Sequence, residues 1–146
     1  MIIRSMNYHS DWDWVCEYLN MSLSDNTSGV VCEDNGKILA AMVCENWTLN
    51  SVMCHFIVAD RRALRHKFHN ECARYVFSIG DREKMIGIVP SDNDKALKLN
   101  AHFGFTELCR IGDAFEKGID AVILELHRDN CPYWEGNNPL LRAVGE

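Results

Sequence analysis

The tightest constraint on this chain is a pair of residues, Asn35-Gly36, set between the apolar runs Gly29 to Asp34 and Lys37 to Thr48. Both residues tolerate the positive φ of a two-residue type I′ turn, so the runs are expected to fold back as an antiparallel hairpin. A third run, Ser51 to Val58, follows after Leu49-Asn50 and extends the hairpin to a three-stranded meander. From about Arg61 the period changes. Leu64, Phe68, Cys72, Tyr75, Val76 and Ile79 fall at spacings of three and four, which predicts a helix with one buried face, and Gly80 stands where a left-handed C-terminal cap is expected. Lys84 to Pro90 reads as a short apolar strand. Ser91 with Asp94 reads as a capping box for a helix over Asn93 to Phe103, closed by Gly104. Strand, helix, strand in that order calls for a right-handed crossover, and so for one parallel pair inside an otherwise antiparallel sheet.

At the N-terminus Ile2 to Met6 predicts a strand. Ser10 with Asp13 predicts a cap for a helix to about Asn20, with Trp14, Val15, Tyr18 and Leu19 on one stripe. Met21 to Ser28 is polar and turn-rich, a loop. Thr106 to Ile111 and Ala121 to His127 predict two final strands around a loop over Gly112 to Asp120. After Asn130 the composition shifts, and Pro132 and Pro139 are two of the three prolines. The expected organisation is one α/β domain of mixed (α+β) character over residues 1–129. An irregular tail over 130–146 would be pinned by Tyr133, Trp134, Leu140 and Leu141.

The chain has 146 residues, enough for one domain with a sizeable core. With 15 Lys and Arg against 21 Asp and Glu the net charge is -6. That balance argues against generic nucleic-acid binding, which depends on clustered cations neutralising phosphates. The charge is uneven: residues 61–74 carry Arg61, Arg62, Arg65, Lys67 and Arg74 against Glu71 alone, a segment of +4, which leaves -10 for the rest. An acidic body with one basic segment suits a single polyanionic ligand or an acidic partner. Seven cysteines, odd in number and mostly inside apolar runs, predict buried free thiols in a reducing cytosol rather than a disulfide framework. Met1-Ile2-Ile3-Arg4 does not begin a signal peptide, and no apolar stretch is long enough to span a membrane. His66, His69 and Cys72 recur at steps of three but drift around the helix, and no CxxC or HExxH supports them, so no metal is expected. GxGxxG and GK[ST] phosphate loops are absent.

One segment narrows the fold further. From Asn93 the sequence N-D-K-A-L-K-L-N-A-H-F-G-F resembles the helix signature of the GNAT superfamily of N-acetyltransferases, N-x-x-A-x-x-x-Y-x-x-x-G-F, with Asn93, Ala96, Gly104 and Phe105 in register. The apolar strand ahead of it and the element order over residues 1–128 agree with the same family. The resemblance implies a central mixed, mostly antiparallel sheet with helices on both faces. It also implies acetyl-CoA as co-substrate and an amine of a small molecule or protein as acceptor. The pantetheine arm would lie against the backbone of Phe56, Ile57 and Val58, in a V-shaped opening between two strands. Asn93 belongs to the same binding region, and the pyrophosphate would sit at the helix start after Val58.

There the chain departs from the pattern. The family's glycine-rich phosphate loop is replaced by Ala59-Asp60-Arg61-Arg62-Ala63-Leu64-Arg65-His66-Lys67, without a glycine. Either Arg61, Arg62, Arg65 and Lys67 grip phosphate by their side chains, or the site is filled. The tyrosine that serves the family as general acid aligns with Asn100, which donates hydrogen bonds but has no proton to give at neutral pH. The candidate base is His55, on the strand ahead of the loop, with Glu45 and Asp60 behind it. Trp12 is a candidate for the acceptor pocket. Two readings stay open: an acetyl-CoA-dependent N-acetyltransferase of the cytoplasm, or a GNAT-fold protein without catalysis, encoded by a phage or mobile element and used in a virion or against a host. A second copy of the chain or an acidic protein is the expected macromolecular partner.

Overall fold

The computed structural model describes residues 1–137, so Leu140 and Leu141 lie outside the described residues. Seven strands form one sheet: β1 (Ile2–Ser5), β2 (Ser28–Asp34), β3 (Lys37–Glu45), β4 (Ser51–Val58), β5 (Lys84–Pro90), β6 (Thr106–Glu116) and β7 (Ile119–His127). Their order is β1-β2-β3-β4-β5-β7-β6, antiparallel throughout except for the parallel pair β4–β5. The meander and its crossover are those the sequence predicts, and the turn between β2 and β3 is made by Asn35 at φ 51 and Gly36 at φ 80.

Helix α1 (Tyr8–Cys16) lies on one face, and α2 (Phe68–Ala73) and α3 (Asp94–Phe103) on the other. Alternation along the strands feeds both layers. Val43 and Ile57 pack with Val15 of α1, whereas their neighbours Met42 and Phe56 join Phe68, Phe77 and Phe103 in the larger core. Each such aromatic, fully buried, contributes about 1.5–3 kcal/mol. A charge is buried as well: Arg4 grips Asp11 through two hydrogen bonds of 2.7 and 2.9 Å, and Asp11 is 2% exposed. The guanidinium, and after it the backbone N–H of Asn7, holds the Asp11 carboxyl below its usual range against the opposing cost of burial. All seven cysteines are free, and five are buried. Cys44 and Cys54 face each other in register with sulfurs 4.0 Å apart, too far for a bond.

Several local expectations are corrected. Helix α1 is capped by Asn7, whose side chain accepts from the N–H groups of His9 and Ser10, and it stops at Cys16 rather than near Asn20. Helix α3 is capped by Asn93, accepting from Ala96 N, while the predicted cap Ser91 instead accepts from Asp120 N at 2.9 Å. In both cases an asparagine occupies the residue just before the first helical position, while Ser10 falls inside the first turn and Ser91 two residues ahead of Asn93. The helix expected from Arg61 is broken: a 3-10 turn (Arg61–His66) ends at Lys67, which adopts φ 62, before α2 begins and runs into a π-helical turn over Arg74–Ile79. Gly80 is right-handed at φ -77, and Asp81 takes the positive φ instead. A Cβ on Gly80 would sit 2.8 Å from Val76 O, so glycine is wanted there for close approach and not for handedness. Gly104 is the left-handed cap expected, at φ 118. The predicted 112–120 loop is largely strand: β6 and β7 continue through it to a tight turn at Lys117-Gly118, with Asp113 at φ 55 marking an irregularity in β6. Strand β3 ends at Glu45, three residues short of Thr48.

Two residues after Asn130 contact the domain. Trp134 donates to Ser78 Oγ at 2.9 Å under the Arg128 guanidinium, and the Tyr133 hydroxyl meets His102 Nε2 at 2.8 Å.

Candidate functional site

The parallel pair at the centre of the sheet is short. Ser51, Val52 and Met53 pair with Lys84, Met85 and Ile86, and then the ladder stops although both strands continue. Beyond that point β4 stays registered with β3 as far as Val58, and β5 with β7 as far as Pro90. Each strand follows the twist of its antiparallel neighbour, so the two part and leave the facing edges of their backbones without ladder partners.

Helix α3 lies over this fork. A cleft of about 380 Å³ runs between it and β4, lined on one side by Phe56, Ile57 and Val58 and on the other by Asn93, Ala96 and Leu99. A second cleft of about 360 Å³ continues from Val58 and Leu99 to Arg61, Lys95, Lys98 and His102. A smaller cavity of about 100 Å³ reaches inward to Gly87, Asn100 and His55. Because Phe56 points to the α3 face and His55, one residue earlier, to the α1 face, this cavity passes through the sheet.

His55 stands opposite Val43 on β3, two residues from Glu45 on the same face. Its Nε2 is 3.4 Å from Glu45 Oε1 but poorly aligned, so that nitrogen is buried without a hydrogen-bond partner among the described residues. Asn100 is 6% exposed, and its Nδ2 donates to Ala96 O at 2.8 Å, one turn back in its own helix. One of its two amide donors is thus committed.

The four expected phosphate cations do not converge on one cleft. Arg61 borders the outer cleft. Arg62 is turned onto Asp60 and Asp34, with nitrogen to oxygen distances of 3.0 and 3.4 Å. Arg65 and Lys67 are exposed outside both cleft linings. Asp60 also accepts from the backbone N–H of Arg62 at 2.9 Å. The Arg62 side chain, and then this N–H, hold the Asp60 carboxyl below its usual range. A carboxylate therefore occupies the start of the 3-10 turn, where a phosphate would otherwise meet free N–H groups.

In place of those amides the cleft offers Lys95 and Lys98. Sequence reasoning passed them over, although the signal was present: Lys95, Lys98 and His102 follow at steps of three and four, one face of α3. Trp12, the acceptor-pocket candidate, is half-buried against Val15, Val43 and Ile57.

No protein-family model matches the chain, and no curated protein matches it by sequence. Solved structures do match by shape. The spermidine/spermine N-acetyltransferase SpeG of Vibrio cholerae, solved with manganese ions, superposes with a TM-score of 0.70 at 17% identity, over 88% of this chain and 92% of that one. Its F149A mutant gives a TM-score of 0.72 at 13% identity, over 88% and 96%. Smu.2055 from Streptococcus mutans UA159 gives 0.69 at 20% identity, over 88% and 99%. The chain has the fold of the GNAT N-acetyltransferases. Among the described residues no helix is long and apolar enough to cross a membrane.

Proposed function

We propose that this protein is an N-acetyltransferase that moves the acetyl group of acetyl-CoA to an amine, on a small molecule or a protein, in the cytoplasm. The observation that carries the reading is the fork between β4 and β5, which joins the cleft on the α3 face to His55 on the α1 face. A thioester donor and an amine could meet there from opposite sides of the sheet. The residues fit the donor in part. Phe56, Ile57 and Val58 offer unpaired backbone and an apolar wall to a pantetheine arm, and Arg61, Lys95 and Lys98 offer charge to its phosphates. The amide cradle at the turn start does not fit, because Asp60 fills it.

Acetyl-CoA supplies the activated carbonyl. The chain binds it, holds the backbone N–H of Val58, which the ladder turns away from β3, toward the developing oxyanion, and gives the amine's proton a destination on His55 beside Glu45. One C–N bond forms and the C–S bond breaks; the neutral amine loses one proton to His55, the thiolate takes one from water, and the hydroxide left behind recovers the proton from His55, which restores water and the neutral imidazole. Water is assigned that part because Asn100 has no proton to give and its amide is bound to Ala96.

The Asp60 cap and Asn100 favour a second reading, a GNAT-fold binding component without catalysis, such as a phage virion or host-interaction protein. Calorimetry with CoA, acetyl-CoA and desulfo-CoA separates the two without knowledge of the acceptor. Saturable heat with all three supports the donor site. Absence of both heat and thermal shift at millimolar ligand refutes the enzyme reading.

A further inference from the structure

The small cavity at the fork is larger than an acetyl group needs. It encloses about 100 Å³, continuous with the cleft beside Phe56 and roofed by Ala96 and Asn100. An acetyl group would send one methyl into it, comparable to the ~30 Å³ share of a water molecule. The remainder would be left to water, and the apolar walls at Phe56, Ile88 and Val89 would stay hydrated instead of packing against an acyl chain.

Two side chains set this size, and neither is dictated by the fold. Asn100 is short and tied back to Ala96 O, which holds it against its own helix. Gly87, on β5, has no backbone reason to be glycine, since it carries no positive φ. Nor does packing require it: a Cβ there would meet Leu124 Cβ and Phe105 Cε1 at 3.7 Å, ordinary contact. The missing side chain leaves room at the place where the strands part. Phe56, Ile88 and Val89 make the strand walls apolar, no Lys or Arg lines the cavity, and its one imidazole, His55, already faces the Glu45 carboxylate, which opposes a second negative charge there.

We infer that the acyl group this site accepts best is an unbranched, uncharged chain of three or four carbons, propionyl or butyryl, with Gly87 and Asn100 as the residues that admit it. The inference rests on the acyltransferase reading and changes only the donor: the bonds made and broken are those given above.

Calorimetry on the full chain with CoA, acetyl-CoA, propionyl-CoA and butyryl-CoA tests it as a binding series, independent of turnover. Each methylene buried in the cavity strengthens binding about fourfold, so butyryl-CoA is expected about tenfold or more tighter than acetyl-CoA. In Gly87→Ala and Gly87→Val the ratio of butyryl to acetyl affinity should fall toward one. Because the readout is a ratio within one variant, a general loss of affinity cancels. Should Gly87→Val fail to fold, Gly87→Ala, which meets nothing closer than 3.7 Å, still reports. Butyryl-CoA binding no tighter than acetyl-CoA, with CoA itself bound, overturns the inference and spares the acyltransferase reading. Failure of every CoA ester to bind overturns both.

Discussion

His69 makes the stability of this fold depend on pH over a defined window. It lies on α2, 4% exposed, with its ring centroid 4.5 Å from Phe103 and 4.9 Å from Tyr133. Burial among these rings, and then the charge of nearby His102, push its pKa from 6.5 down to about 4. The folded state therefore binds the proton more weakly than the unfolded chain. Stability from this group is complete above the unfolded value of 6.5. It declines as pH falls, because the unfolded chain takes up the proton first, and levels off once the folded protein also protonates near 4. The shift of about 2.5 units corresponds to about 3 kcal/mol at about 1.36 kcal/mol per unit, a large part of the stability of a domain this size. Urea unfolding of the wild type and of His69→Leu, at steps from neutral pH down to the upper edge of the carboxylate range, isolates the effect. Groups titrating in both proteins cancel in the difference. Asp11 stays outside the window, because its lowered pKa places its loss of stability below its usual 3.8. The wild type should lose about 2 kcal/mol relative to the variant across that range, the rest following only as pH approaches 4. Parallel curves would refute the assignment of a buried neutral imidazole.

Lys95→Ala or Lys98→Ala should weaken CoA binding about three- to fivefold at low ionic strength, less in high salt, whereas Arg62→Ala should leave it unchanged because Arg62 is held by Asp60 and Asp34; titration calorimetry at two salt concentrations decides, and a loss with Arg62→Ala would place the phosphates elsewhere. Gly29→Ala should cost more than about 3 kcal/mol, since its Cβ would fall 2.0 Å from Met42 O across β2 and β3 and backbone would have to move; a melting temperature within a few degrees of wild type would contradict that contact. In the native protein only Cys16 and Cys109 should react promptly with a thiol reagent, and the other five only on unfolding; more than two fast thiols would show that the core opens readily.

Where a local rule is strong and has no competitor, the sequence was legible. Asn35-Gly36 closed its hairpin and Gly104 capped α3, because each needs only its own backbone torsions. The caps at Ser10 and Ser91 failed for the complementary reason: Asn7 and Asn93 were also in range, and a short pattern cannot rank two competent residues one turn apart. The helix from Arg61 kept its apolar stripe but not its continuity, since a left-handed Lys67 breaks no rule of periodicity. Within the site, the basic run 61–67 borders the cleft through Arg61, while Arg62 turns onto carboxylates and Arg65 and Lys67 lie outside the cleft linings.

The sequence by itself determined the strands, their meander, the crossover and the glycine corner that places α3, because these follow from period and turn chemistry within a few residues of each position. Only the tertiary structure decided where β4 and β5 part, since each strand there obeys a different antiparallel neighbour. It also decided which cations border the cleft: Asp60 and, distant in sequence, Asp34 draw Arg62 away, while α3 brings Lys95 and Lys98 to the cleft rim. Charge along a chain is counted residue by residue, but a binding site depends on direction, and direction is set by contacts between segments that the sequence keeps apart.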